Sequence, residues 1–261
     1  MHVGDTSGLH PTWNALSEAP TVLLPTATRC CVRLQSARAK SGEARARQGD
    51  VMKKPPIVIV LAAGRGSRFK APEHKLLQAF AASTVLGTTL EHAIETGLQL
   101  RVVTTAAVSA EARHHVAQRD IVELPAVTGQ GGETLGMGFS IASGVAASPD
   151  AGGWLVLPGD MPSVKPATLL AVAARLPQHA VVYAQHIGRR GHPVGFAAEL
   201  YSELVQLSGD EGARRLVARY PSVGVEVDDP GVLIDVDTLD DLTSLQAHAG
   251  LDAPIEPRAA K

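Results

Sequence analysis

Three aspartates define the chemistry open to this chain. Asp160 ends the apolar run of LVLPGDMPSV (155–164), held between Gly159 and Met161-Pro162, while Asp235 and Asp237 stand two apart in LIDVDTLDDL (233–242). A carboxylate at the carboxyl end of a strand is placed to bind a hard cation such as Mg2+, which takes one or two protein carboxylates and shares the rest of its shell with phosphate oxygens and water. Residues two apart on a strand face the same side, so Asp235 and Asp237 form a like-charge pair that is costly without a cation beside it. Positive charge is offered by VLAAGRGSRFKAPEHKLL (60–77). There Gly64 and Gly66 let the backbone approach a ligand and present its amides, Arg68 can fork onto phosphate oxygens, and Lys75 adds a point charge. Metal-holding acids and a cationic glycine turn suit a triphosphate.

Each of these features also has a plainer structural reading. Residues 64–75 fit a flexible strand-to-helix turn with solvated charges, Asp160 fits a cap for a helix from Pro166, and Asp237 or Thr238 fits the cap of a last helix carrying Asp240 and Asp241 in its first turn. The turn is not a P-loop, because no Gly-Lys-Ser/Thr follows at the required spacing. Nor is it a good dinucleotide fingerprint, since Phe69 stands at the third glycine position. A further glycine-rich stretch, GQGGETLGMGFSIASGV (129–145), turns helical near Ser140 and Ser143, where amides and hydroxyls can meet a base or ribose.

The elements that must position these residues alternate. IVIVLA, RVVTTA, IVEL, GWLVLP, AVVYA, GHPVGFA, VGVEV and GVLIDV read as strands. Helical patterns fall near 85–98, 109–119, 138–147 and 166–176, twice between 198 and 219, and from about 238. Continuous apolar strands alternating with helices predict a mostly parallel sheet covered on both faces, with ligands beyond the carboxyl ends of the strands. The opening glycine turn and Asp160 then share one rim.

Composition narrows the partners. Lys and Arg total 24 against 26 Asp and Glu, so no overall basic field argues for nucleic acid or an anionic membrane. No apolar run has the roughly 20 residues of a membrane helix, and TVLLPTATRCCV lacks the preceding basic region of a secretory signal. The only cysteines, Cys30 and Cys31, are adjacent and supply neither a disulfide framework nor a metal-ligand spacing, which suits a reducing, cytoplasmic setting. Residues 1–54 are read as a disordered or non-native N-terminal extension, with Met52 resembling a natural start; a targeting peptide or interaction arm is the alternative. The folded domain is expected over 55–248, with a flexible tail over 249–261.

Taken in order, the motifs resemble the MobA-like nucleotidyltransferase family, and within it the molybdenum cofactor cytidylyltransferase branch. The resemblance is carried by LAAGRGSRFKAPEHKLL, GMGFSIASGV, LPGDMPSV, GHPVGF, GDEGARRL and IDVDTLDDL. It implies a Rossmann-like three-layer α/β/α nucleotidyltransferase fold with a mostly parallel mixed sheet. It implies that Leu61, Ala62, Ala63, Gly64, Arg65 and Gly66 cradle the triphosphate, that Arg68 and Lys75 neutralise it, and that Gly136, Gly138 and Ser140 help seat the nucleoside. Asp160 with Asp235 or Asp237 would hold Mg2+, and Gly191, His192 and Pro193 would line the acceptor side. Arg68, Lys75 and Asp160 are the expected catalytic set, with His192 a packing or acceptor contact ahead of a base.

The implied reaction is transfer of CMP from CTP to the molybdopterin form of the molybdenum cofactor, releasing pyrophosphate, with a molybdenum hydroxylase as a further partner. Ala63 occupies the position where guanylyl relatives tend to carry glycine. A GTP-dependent or sugar- or alditol-phosphate nucleotidylyltransferase of the same fold is one alternative, and a noncatalytic cofactor-binding maturation chaperone is another. Two departures stand out: Lys70 replaces a glycine of the family's loop, with extra residues before Lys75, and Leu239 replaces the usual proline of the last motif.

Overall fold

The computed structural model describes residues 54–125 and 136–248. The expectations for residues 1–53, for 129–135 of the glycine-rich stretch and for the tail from 249 lie outside the described residues. Seven strands form one sheet in the order β5 (Ile121–Leu124), β4 (Leu100–Thr105), β1 (Ile57–Ala62), β6 (Gly153–Pro158), β8 (Arg189–Ala197), β7 (Val181–His186) and β9 (Ser222–Glu226), while β2 (Ala79–Phe80) and β3 (Ser83–Thr84) make a small separate ladder. Only β8 runs antiparallel to its sheet neighbours; every other pair in the large sheet is parallel. This is a mostly parallel mixed sheet, as the resemblance implies.

The continuous apolar runs of β1 and β6 follow from coverage on both faces. Val58, Val60 and Ala62 pack with α1 (Val85–Glu95), α4 (Pro166–Arg175) and α7 (Leu239–His248) through Leu86, Leu90, Leu169, Val172, Leu242 and Leu245, and Ala112 of α2 (Ser109–His115) joins that layer. Ile57 and Ile59 point the other way, to Ile141 and Val145 of α3 (Gly136–Ala146), Leu204 of α5 (Tyr201–Leu204) and Leu216 of α6 (Arg214–Arg219). At roughly 1.5–3 kcal/mol for each large apolar side chain fully removed from water, these two layers hold the sheet rigid.

Strand β1 lies between β4 and β6, so the chain departs from it in both directions and leaves a crevice at the carboxyl ends of β1 and β6. The Gly159 amide donates to the Leu61 carbonyl at 2.9 Å, and the Thr89 hydroxyl of α1 donates to the Gly159 carbonyl at 3.1 Å. Both bonds fix the residue just before Asp160.

Two expectations are corrected. GVLIDV is not a strand: Pro230–Leu233 form a 3-10 turn, started by Pro230 and by the Asp229 carboxylate accepting from the Gly231 amide at 3.1 Å. The helix expected over 109–119 stops at His115 and resumes as a 3-10 turn at Gln118–Asp120.

Candidate active site at the carboxyl ends of β1 and β6

Asp235 and Asp237 reach the crevice without belonging to a strand. The 3-10 turn at 230–233 packs tightly between β8 and the loop after Asp160; a Cβ on Gly191 would fall 2.1 Å from the Val232 carbonyl oxygen, and one on Gly231 would fall 2.3 Å from that of Ser163. Asp229, 2% exposed, ties the turn to the start of α4, its Oδ2 accepting from the Lys165 amide at 2.9 Å and the Thr168 hydroxyl at 2.6 Å. The chain then runs across the strand ends, and the Val236 amide donates to the Asp160 carbonyl at 2.9 Å. Val236 is fully buried, so the residues on either side of it turn together toward the crevice. The pairing of Asp235 with Asp237 is therefore real, but a buried valine imposes it rather than strand pleat.

Thr238, not Asp237, caps α7. Its hydroxyl accepts from the Asp241 amide at 3.1 Å while the Asp241 carboxylate accepts from the Thr238 amide at 2.7 Å, a reciprocal capping box. Asp237 is left for the site. One carboxylate oxygen each from Asp160, Asp235 and Asp237 lies within 4.8 Å of the others.

Two cations face these acids. Lys75 opens a 3-10 turn (Lys75–Leu77), and its Nζ lies 2.6 Å from Asp160 Oδ2 and 2.8 Å from Asp237 Oδ1. Arg68 places Nη1 2.5 Å from Asp237 Oδ2, but its side chain is 77% exposed against 10% for Lys75, so water screens the arginine pair far more. Burial alone would pull the Lys75 ammonium down; the charge and hydrogen bond of Asp160, then those of Asp237, outweigh it and hold its pKa above the ordinary value. Asp235, although exposed, is shifted upward by partial desolvation and then by the Asp237 and Asp160 charges. Asp160 Oδ1 is buried and accepts no hydrogen bond. Three converging carboxylates, one with an unpartnered oxygen, are the all-oxygen donor set that Mg2+ or Mn2+ takes.

The glycine turn is held from beneath. Phe69 is buried in the core, and the His74 ring bridges the turn, with Nδ1 accepting from the Leu76 amide at 3.2 Å and Nε2 lying 3.0 Å from the Gly64 carbonyl, the geometry of an Nε2–H tautomer. His74 carried no sequence signal beyond its place beside Lys75. Leu61 and Ala62 end β1, Ala62 being buried against the core, and Gly64 and Arg65 are exposed. Gly66 takes φ +61°, a conformation that favours glycine. The extra residues after Lys70 are absorbed in this turn without moving Lys75 away from the acids.

Gly136 and Gly138 open α3 against the segment 208–210, whose Gly209 and Asp210 begin the GDEGARRL motif. A Cβ on Gly136 would fall 2.2 Å from the Gly209 carbonyl carbon and one on Gly138 2.6 Å from the Ser208 carbonyl oxygen, while the Gly138 amide donates to the Gly209 carbonyl at 2.8 Å. Close backbone packing thus leaves no room for a larger residue at either position, and the Val232 carbonyl does the same at Gly191. Ser140 is buried, with its hydroxyl 3.4 Å from the Gly136 carbonyl. On β8, Pro193 is buried and His192 half-buried; desolvation lowers the His192 imidazole below its usual value, with the Asp160 charge opposing.

The family model for the MobA-like NTP transferase domain matches residues 58–223, ending before Asp235 and Asp237. The crystal structure of Rv0371c from Mycobacterium tuberculosis H37Rv is 31% identical, with a TM-score of 0.63 over 74% of this chain and 97% of that one. Rv0371c in complex with manganese gives 30% identity and a TM-score of 0.60 over 73% and 97%. Bifunctional protein GlmU of Zymomonas mobilis subsp. mobilis is 33% identical over 124 residues, 47% of this chain and 27% of GlmU. Purine catabolism protein PucB of Bacillus subtilis (strain 168) is 35% identical over 109 residues, 40% of this chain and 52% of PucB. The matched part of the chain thus spans about a quarter of GlmU and about half of PucB. Among the described residues, no helix is long and apolar enough to cross a membrane.

Proposed function

The chain belongs to the MobA-like NTP transferase family, and from that premise we propose that it transfers CMP from CTP to the molybdopterin form of the molybdenum cofactor, releasing pyrophosphate. The observation that carries this reading is the convergence of Asp160, Asp235 and Asp237 beside Arg68 and Lys75, at the crevice where the glycine turn leaves β1. A phosphate oxygen of the acceptor attacks the α-phosphorus of the nucleotide; the bond from that phosphorus to the oxygen bridging to the β-phosphate breaks, and its electrons leave with pyrophosphate.

Such a reaction needs positioning and charge neutralisation more than a protein nucleophile. Asp160 with Asp235 or Asp237 would hold Mg2+, which would neutralise the phosphate oxygens. The amides from Gly64 to Gly66, with Arg68 and Lys75, bind the triphosphate, and the start of α3 from Gly136 to Ser140 seats the nucleoside. An acceptor phosphate monoester is mostly ionised near neutral pH, so no general base is required. A largely neutral His192 then serves as an acceptor-side contact. Ala63 and the LPGDMP sequence favour the cytidylyl reaction over the guanylyl one.

Purified protein incubated with Mg2+, the cofactor and CTP, GTP or ATP separately tests this reading. Pyrophosphate is expected with CTP and cofactor together, and Asp160→Asn should lower its rate by about 100-fold or more while the melting transition persists. Release with GTP alone among the nucleotides would move the chain to the guanylyl reaction. Absence of release with every nucleotide, together with a molybdenum hydroxylase client that still matures with Asp160→Ala, would assign a noncatalytic cofactor chaperone.

A further inference from the structure

Lys75 is the most enclosed cation of the site, and it touches the oxygens that a metal shared between Asp160 and Asp237 would need. Its ammonium spans Asp160 Oδ2 and Asp237 Oδ1 at 2.6 and 2.8 Å, with the side chain 10% exposed. A divalent ion takes such oxygens at about 2.0–2.2 Å and repels a neighbouring ammonium strongly in so sheltered a place. Both cations cannot keep these contacts at once.

We propose that Lys75 is a resident counter-ion that competes with the divalent cation for Asp160 and Asp237, and that the triphosphate relieves the competition by giving the ammonium phosphate oxygens instead. Metal and nucleotide then bind with positive coupling, each raising the affinity of the other by the same factor. The ion is held weakly until the nucleotide arrives.

The loop is built to transmit this exchange. The Lys75 stem runs beside Gly66, its Cγ 3.2 Å from the point a Cβ would occupy, and His74 joins the Gly64 carbonyl to the 3-10 turn that Lys75 opens. A phosphate settling on the Gly64–Gly66 amides therefore lies against the stem of the lysine it must attract. Asp160 Oδ1, buried and without a hydrogen bond, gives the metal a first contact that Lys75 does not block. Arg68 also meets Asp237, but its exposed guanidinium is screened and contacts neither Asp160 oxygen among the ion pairs of the described residues. This inference rests on the metal reading of the triad made above.

The test is a Mn2+ titration of the nucleotide-free full chain, followed by loss of the free-ion electron paramagnetic resonance signal. Lys75→Gln should bind Mn2+ at least about tenfold more tightly than the wild type, within the range usual for coupled sites, while Arg68→Gln changes the affinity by less than about threefold. Asp160→Asn should weaken binding in both backgrounds. Equal or weaker binding by Lys75→Gln, with Asp160 still required, overturns the competition and leaves the metal site standing. Binding that is unaffected by Asp160→Asn removes the metal site as well.

Neutralising Lys75 leaves two carboxylates face to face, so a second measurement uses the wild type alone. Acylation of Lys75 by an amine-reactive ester, read by mass spectrometry, should be slow in the free protein and faster with saturating Mn2+. A rate that Mn2+ does not change contradicts displacement of the lysine.

Discussion

Asp229 ties the turn that leads to Asp235 and Asp237 to the start of α4, and Asp229→Ala measures how firmly that turn is held. The carboxylate is 2% exposed and accepts three hydrogen bonds, from the Lys165 amide, the Thr168 hydroxyl and the Gly231 amide, at 2.9, 2.6 and 3.1 Å. It thereby joins the beginning of α4 to a turn more than sixty residues later. Alanine removes the acceptor and leaves these donors facing a cavity. A buried donor without a partner costs about 1–3 kcal/mol, and each hydrogen bond to a charged acceptor contributes about 1.5–3 kcal/mol. Some of the donors will recover water, so the expected loss is about 3–5 kcal/mol in all. For a domain of this size that corresponds to a fall in melting temperature of roughly 6–20 °C. Asp229→Asn keeps one acceptor oxygen but turns an NH2 toward at least one donor, and should lose less, about 1–3 kcal/mol. Urea denaturation followed by far-UV circular dichroism gives both values. A loss below about 1 kcal/mol for the alanine variant would refute the claim that this carboxylate anchors the acid-bearing segment.

Two further outcomes follow from contacts elsewhere around the crevice. Gly138→Ala drives a Cβ into the Ser208 carbonyl, so the first turn of α3 must move away from residues 208–210; CTP affinity measured by calorimetry should fall by about tenfold with the melting temperature lowered only a few degrees. The depressed pKa of His192 makes folding pH-dependent: below its ordinary value of 6.5 the unfolded chain takes up a proton that the folded His192 still refuses, so its contribution is whole above 6.5 and declines as pH falls toward the lowered value. Urea midpoints at about pH 5.5 and about pH 7.5 should differ less in His192→Gln than in the wild type.

Much of the sheet was legible because β1 and β6 are buried on both faces, and such strands must be apolar at every position. Their ends were legible too, since Gly159, Asp160 and Pro162 break the run at the rim. The segment GVLIDV misled for a related reason. Val232 and Val236 are buried as strand residues would be, while Leu233 is only partly so and Ile234 is exposed; Pro230 and the side chain of Asp229 wind the chain into a 3-10 turn, and the partner that decides this, the start of α4, is remote in sequence. Val236 then produces the same-side pairing of Asp235 and Asp237 that strand pleat was expected to give. Lys75 was legible as a cation near phosphate, but its grip on two acids depends on a fold that brings together residues 75, 160 and 237. Asp229 and His74 were missed because a buried cap and a loop tie look like ordinary polar residues until their donors are known. The resemblance assigns Gly136 and Gly138 to the nucleoside and Gly191 to the acceptor side, but the sequence gives no sign that the backbones of 208–210 and Val232 press on these same positions.

In the proposed reaction Asp160, together with Asp235 or Asp237, holds a divalent cation against the nucleotide. Anomalous scattering from crystals grown with Mn2+ and CTP tests it most directly. A peak is expected within about 2.5 Å of an Asp160 oxygen and of a second carboxylate from 235 or 237, with a phosphate oxygen completing the contact and Lys75 turned toward the triphosphate. A nucleotide bound in the crevice with its metal touching none of these acids would contradict it.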